Sequence, residues 1–211
     1  MPRGKLITIE GLDGAGKSTL ATTLTGALTG RGVRVEALHE PGGVDLAERI
    51  AGLVKDPSLA IGGRAEALLY AAARAELVEA RVRPLLEEGT WVMLDRFVDS
   101  SLAYQGAGRG LGVEQVRSVN LLATGELTPD RTLLLRVSPA VGRARLHARG
   151  AGPDRLELES ERFFERIARA YDRLASAEPE RIRTIDADQA AERVLALALA
   201  ELEDLLPSHG A

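Results

Sequence analysis

A glycine-rich segment, Gly11-Leu12-Asp13-Gly14-Ala15-Gly16-Lys17-Ser18, stands between a short apolar run and a helical pattern. It matches G-x-x-x-x-G-K-[ST], and its flanks constrain the fold as much as its letters do. Before it, Lys5–Glu10 (K-L-I-T-I-E) is short and β-branched, the pattern of a buried strand. After it, Leu20, Leu24, Ala27 and Leu28 recur at helical spacing until Gly30 and Gly32. Glycines let the backbone curl so that its N–H groups converge on phosphate oxygens, and the following helix points its positive end at the same place. Gly11, Leu12, Asp13, Gly14, Ala15, Gly16, Lys17, Ser18 and Thr19 therefore form an expected nucleotide-binding loop. Lys17 is expected to reach the β- and γ-phosphates, and the Ser18 hydroxyl to ligate Mg²⁺. The motif calls for a nucleoside triphosphate such as ATP with Mg²⁺, and leaves the second substrate open.

Val33–His39 reads as the next strand, and the order strand–helix–strand predicts a right-handed parallel crossover. Trp91–Asp95, Thr132–Val137 and Arg181–Ile185 are further short apolar strands separated by helical patterns. The expected fold class is α/β: a P-loop NTPase three-layer sandwich on a five-stranded parallel sheet, with a short lid. One domain is expected over residues 1–211. Three apolar stripes predict core-facing helices: Ala65, Leu68, Leu69, Ala72, Val78, Val82 and Leu85; Phe163, Ile167, Tyr171 and Leu174; and Leu195, Leu199, Leu202 and Leu206. The segment Arg143–Arg155, rich in arginine and glycine, interrupts the helical patterns and reads either as an ordinary surface loop or as a mobile lid, the lid then covering about 143–158.

Composition removes several classes of function. Lys+Arg number 27 against 31 Asp+Glu, a net charge of −4, which disfavours a nucleic-acid backbone as partner. There is no cysteine, so disulfides, thiolate metal sites and a cysteine nucleophile are excluded. No apolar run reaches the roughly 18 residues of a membrane span, and the N-terminus lacks a signal-peptide pattern, so a cytoplasmic protein without membrane contact is expected.

Trp91-Val92-Met93-Leu94-Asp95 puts a carboxylate at the C-terminal end of an apolar strand, the edge where ligands of open α/β sheets bind. Asp95 is a candidate second oxygen ligand, with Ser18, for the magnesium. Arg96 follows it, and can either make a structural ion pair or hold an acceptor phosphate by its planar fork; the neighbouring P-loop favours the phosphate.

The chain resembles the thymidylate kinases. The motifs that carry the resemblance are the P-loop, His39-Glu40-Pro41-Gly42-Gly43, Tyr70-Ala71-Ala72-Ala73-Arg74, Asp95-Arg96-Phe97, Ser100-Ser101-Leu102-Ala103-Tyr104-Gln105-Gly106 and Asp154-Arg155-Leu156-Glu157. The resemblance implies that Asp13 accepts from the 3′-hydroxyl of a deoxyribose and that Arg96 binds the acceptor's 5′-phosphate. It implies that Tyr70 stacks on the base, that Arg74 donates to thymine O4, that Ser101 and Gln105 sit near the base edge, and that Tyr104 crowds the 2′ position. Core packing is the competing reading for both tyrosines. Glu40 and Pro41 would line the acceptor site in a tight loop, with a cis peptide between them. A homodimer is also implied, with the helix around Arg64–Leu86 as a candidate interface. The chain departs from the family pattern at His39, at Leu135-Arg136-Val137 and in the length of the lid.

The expected reaction is direct in-line transfer of the ATP γ-phosphoryl group to dTMP, giving dTDP and ADP for dTTP synthesis. The acceptor phosphate is already ionised, so catalysis reduces to positioning and charge stabilisation by Lys17, Asp13, Arg96 and lid arginines. Some family members carry an arginine inside the P-loop where this chain has Gly14, so Arg149 and Arg155 are expected to supply that charge. The alternatives are a deoxynucleoside kinase and a non-catalytic P-loop scaffold. A GTPase is disfavoured because neither N-K-x-D nor D-x-x-G follows.

Overall fold

The computed structural model describes residues 2–148 and 154–206. In chain order the regular elements are β1 (Leu6–Gly11), α1 (Lys17–Gly30), β2 (Val35–His39), α2 (Asp45–Lys55), α3 (Gly63–Leu77), α4 (Arg83–Glu87), β3 (Trp91–Asp95), α5 (Val98–Ser101), α6 (Val113–Thr124), β4 (Arg131–Arg136), α7 (Pro139–Ala148), α8 (Glu161–Ala177), β5 (Ile182–Asp186) and α9 (Ala191–Ala200). The strands form one all-parallel sheet in the order β2-β3-β1-β4-β5. From β1 the chain moves to one side for β2 and β3, then crosses to the other for β4 and β5. The crevice between the ends of β1 and β3 is the switch point of the topology, where a ligand finds open backbone groups and helix N-termini together.

β1 is buried along its whole length, because helices cover both faces of a parallel sheet. Ile7 and Ile9 face α1 and meet Leu20, Leu24 and Leu28. Leu6 faces the other way, onto Leu77, Val82, Leu86 and Phe97. The edge strand β2 is only half-buried.

The stripes came out differently from one another. That of α8 is buried through Phe163, Ile167, Tyr171 and Leu174. In α9 the stripe is shifted by one residue: Val194, Ala198 and Leu202 are buried, while Leu195, Leu199 and Leu206 pack only partly. The first stripe divides: Ala65, Leu68 and Ala72 of α3 are exposed while Glu66, Ala67, Ala71, Arg74 and Leu77 are buried, but Val78 and Val82 are fully buried as expected and Leu69 and Leu85 pack partly against the core. Alanine-rich helices carry little periodic contrast, so two faces satisfy the spacing, and the buried one is chosen by the charged pairs it makes. Between α3 and α4 the helix widens into a π-type turn over Val78–Val82, ahead of Pro84. Proline offers no N–H and its ring crowds the preceding turn, which the wider turn relieves.

Candidate active site

The P-loop leaves β1 at Gly11 and enters α1 at Lys17, with Gly16 in the left-handed region at the helix start. Lys17 is 6% exposed, and its Nζ donates to the carbonyls of Gly11 (3.2 Å) and Leu12 (2.9 Å). Gly14 has φ +79°, and a Cβ there would lie 2.1 Å from the carbonyl oxygen of Gly142 on α7. The P-loop backbone and α7 therefore touch directly, so a side chain at position 14 is sterically excluded.

A cleft of about 590 Å³ opens over the β1–β3 edge. At its mouth the Ser18 hydroxyl donates to Asp95 Oδ2 at 2.6 Å. Two oxygen ligands on adjacent elements suit a hard divalent cation that takes its remaining ligands from phosphates and water. Among the described residues no group of three or more acidic, histidine or cysteine side chains could hold a metal ion.

On the cleft floor Arg96 sits at φ +71°, in the left-handed region a non-glycine residue rarely occupies. Its NH2 group pairs with Asp13 Oδ1 and lies 3.4 Å from the Tyr104 hydroxyl, and its NH1 donates to Ser100 Oγ at 3.0 Å. The guanidinium also stands over the Tyr104 ring, 5.0 Å from its centre. The Tyr104 hydroxyl donates to Asp13 Oδ2 at 2.9 Å. Burial pushes the Asp13 carboxyl up, but Arg96, then Lys17 and the Tyr104 hydroxyl outweigh it and hold it at about 2. Burial, followed by Arg96, lowers Lys17 to about 8, against the pull of Asp13 and Asp95. Both charges belong to a knot that is partly starved of water.

The cleft is also lined by Glu40, Pro41, Tyr70, Ser101 and Gln105 as well as Arg74. The Glu40–Pro41 peptide is cis, as the sequence suggested. Arg74 corrects an expectation. It is 1% exposed, with Nε donating to both Glu40 oxygens (2.8 and 3.1 Å), NH2 to the Phe97 carbonyl (2.9 Å) and again to Glu40, and NH1 to Ser101 Oγ (2.9 Å) and Asn120 Oδ1. All five of its N–H groups are used inside the protein, so a contact to a base requires one to be released. Buried arginine forces this outcome, because each unsatisfied donor would carry its full desolvation cost.

The lid arginines divide. Arg149 lies outside the described residues. Arg155, expected beside the γ-phosphate, is seated elsewhere: Nε donates to the Val54 carbonyl (2.9 Å) and NH2 to Glu66 (2.6 Å). Glu66, fully buried, also receives Gln105 (2.8 Å) and Arg109 (2.9 Å). Lys55 and Arg145 line the cleft instead; Arg145 belongs to the arginine-rich segment marked in the sequence as a source of charge, whereas Lys55 was not singled out. Arg145 is tied by one bond, NH1 to the Ala187 carbonyl at 2.9 Å.

A family profile described as thymidylate kinase matches residues 9–197. The chain belongs to the thymidylate kinase family. Thymidylate kinases similar to it include that of Halorhodospira halophila, 45% identical over 99% of this chain and 98% of the relative. That of Alkalilimnicola ehrlichii is 48% identical over 92% and 90%, and that of Deinococcus radiodurans 46% identical over 89% and 90%. Membership makes the chain a kinase, and kinases that use ATP employ a divalent metal. Sequence reasoning missed four buried residues that thymidylate kinase membership does not by itself explain: Glu10, Glu66, Ser100 and Asn120. A glutamate within an apolar strand was the one available signal, at Glu10. Glu66 and Asn120 declare themselves chiefly through partners distant in sequence, and Ser100, quoted in a motif but given no role, through Glu10 and Tyr171 as well as the nearby Arg96.

Proposed function

We propose that this chain transfers the γ-phosphoryl group of ATP to dTMP, giving dTDP and ADP, with Mg²⁺ as the metal. The observation that carries the reading is Arg96, held in a strained backbone conformation on the cleft floor between the P-loop and the Tyr104 ring. Strain of roughly 1–3 kcal/mol persists where surrounding contacts over-determine it, and such sites cluster where a side chain has a task. In this reading Arg96 exchanges its Asp13 contact for the acceptor phosphate, and Asp13 turns to the 3′-hydroxyl. Tyr104 stands against a 2′-hydroxyl and Tyr70 against the base. Ser101 Oγ accepts from Arg74, which leaves its own hydroxyl hydrogen for a base carbonyl, with the Gln105 amide beside it. Glu40 and Pro41 wall the acceptor site. Ser18 and Asp95 would hold Mg²⁺, which supplies charge neutralisation on the phosphates. Lys17 holds the β/γ-phosphates and, with Arg145 and Arg149, meets the charge on the transferring group.

Transfer is direct and in line. The acceptor oxygen is already ionised, so the residues act by alignment, charge and exclusion of water. Residues 143–158 are proposed to act as the lid of a single domain. Incubation with Mg-ATP and a panel of nucleosides and monophosphates, with ADP release followed, tests the reading. ADP release with dTMP alone is expected. Equal use of thymidine and dTMP overturns it in favour of a deoxynucleoside kinase, and no release with any acceptor points to a scaffold.

A homodimer is proposed as well. Leu46 and Leu53 on α2, Leu68 on α3, and Leu121 and Leu122 on α6 are exposed, Leu122 by 87%, on three helices that pack side by side. An apolar patch of this kind is the ordinary signature of an interface. Light scattering is expected to give twice the 22.5 kDa chain mass, and Leu122→Arg to halve it. A cytoplasmic location fits this activity; among the described residues no helix is long and apolar enough to cross a membrane.

A further inference from the structure

Glu10 is fully buried at the end of β1, one residue before the P-loop, and the reaction proposed above makes no use of it. Its two side-chain oxygens accept from three donors. Oε1 accepts the Phe97 amide N–H at 2.8 Å, and Oε2 accepts the hydroxyls of Ser100 and of Tyr171, the latter at 3.0 Å. The Ser100 oxygen in turn accepts from Arg96 NH1 at 3.0 Å. The backbone completes the pattern, because the Arg96 N–H donates to the Ile9 carbonyl at 3.0 Å. Consecutive residues of β1, Ile9 and Glu10, thus grip the consecutive amides of Arg96 and Phe97, and the residue between those grips is the one at φ +71°.

We infer that Glu10 is a positioning residue for Arg96: through the Phe97 amide and the Ser100 hydroxyl its carboxylate fixes the turn that aims the guanidinium into the acceptor site. A left-handed non-glycine residue relaxes unless it is held from both sides. Without Glu10, the backbone N–H of Phe97 is left buried and unpaired, and the turn has reason to move. Ser100, relieved of its acceptor, can then rotate away from Arg96. The inference rests on the reading of Arg96 as the ligand of the acceptor phosphate, and one set of variants separates the two.

Arg96→Ala, Glu10→Ala, Glu10→Gln and Ser100→Ala are compared by steady-state kinetics with dTMP and ATP varied in turn, and by direct titration with dTMP. Arg96→Ala is expected to raise the dTMP KM strongly and tests the reading of Arg96. If it leaves that KM unchanged, both the reading and the inference fall. Glu10→Ala is expected to raise the dTMP KM tenfold or more with the ATP KM within twofold. Glu10→Gln keeps a carbonyl for the Phe97 N–H and is expected to recover most of the loss. Ser100→Ala, which cuts only the side-chain link, is expected to cost a few-fold in the same direction. A purely structural role would instead lower kcat with the active fraction and leave both KM values unmoved. The inference is overturned if Arg96→Ala raises the dTMP KM while folded Glu10→Ala and Ser100→Ala do not, or if both substrate KM values rise together. If Glu10→Ala does not fold, Glu10→Gln and Ser100→Ala decide the question by the same criteria, a dTMP KM unchanged in both overturning it.

Discussion

The floor of the cleft and the limb that runs from α7 to the start of α8 are both rich in arginine, yet they hold it in different ways. On the floor, Arg96 has four partners drawn from β1, the P-loop, α5 and the π-type turn over Leu102–Gly108 that follows it, and its backbone is pinned to the sheet. Among the described residues of the limb, three arginines have one or two partners at the tip: Arg143 on Glu161, Arg145 on the Ala187 carbonyl, Arg155 on Glu66 and the Val54 carbonyl. The floor is preorganised, so its charge stands ready where a phosphate arrives. The contacts of Arg143 and Arg145 are single bonds that exchange at little net cost when a better anion appears, whereas Arg155 is anchored on the buried Glu66. Close placement belongs to the floor, and adaptable charge to the arginines of α7.

Four experiments break or sharpen this contrast. Lys17→Ala takes away the cation shared by both regions and is expected to cost about 10³ or more in turnover with the fold retained, read by steady-state kinetics alongside circular dichroism. Next in size, Arg96→Ala is expected to raise the dTMP KM by about 10², roughly 3 kcal/mol, while ATP is bound as before. A matching rise in the ATP KM would erase the distinction between floor and limb.

Arg155→Ala separates anchoring from chemistry within the limb itself. Glu66 keeps Arg109 and Gln105 but loses one charged donor. The expected loss is about 1–2 kcal/mol of stability, a fall of roughly 3–8 °C in Tm, with turnover changed less than threefold. A large loss of turnover at unchanged Tm would return Arg155 to the phosphates.

The last experiment concerns pH. Burial, and then the nearby Asp99, raise the Glu10 carboxyl from 4.5 to about 7, against Ser100, Arg96 and the Phe97 amide. The folded protein keeps this proton up to about pH 7, whereas the unfolded chain releases it near 4.5. Folding therefore gains from Glu10 at low pH, and the gain is lost as pH rises through about 7. Chemical denaturation at pH 5, 6, 7 and 8 is expected to show stability declining across this window. Glu10→Gln, which has no proton to lose, is expected to flatten that part of the curve.

Much of this was legible in the linear chain. A P-loop between a β-branched run and a helix dictates a parallel sheet with the loop at the strand ends, because no other arrangement aims its amides and helix dipole at one point. The strands were found within one or two residues, and Asp13, Lys17, Ser18, Asp95, Arg96, Tyr104 and Gln105 do meet in one cleft. Those residues are fixed by local geometry, since each lies at or just after a strand end or on the helical run that follows β3.

Partnership between distant segments could only be decided by the folded molecule. Arg74 shares a helix with Tyr70, so spacing places both toward the cleft, but its donors are taken by Glu40, Ser101, Asn120 and the Phe97 carbonyl, none of them within 20 residues of it. Arg155 reads as a mobile charge until Glu66, 89 residues away, is seen to receive it. The face of α3 that enters the core was chosen in the same way, by the burial of Glu66 and Arg74 against the pull of Leu68. A buried charge must find its counter-charge wherever the fold brings one, at a cost of several kcal/mol if it fails. Hydrophobic spacing carries the element and its direction, and the charged pairs, set by long-range packing, determine which side chains remain free to meet a substrate.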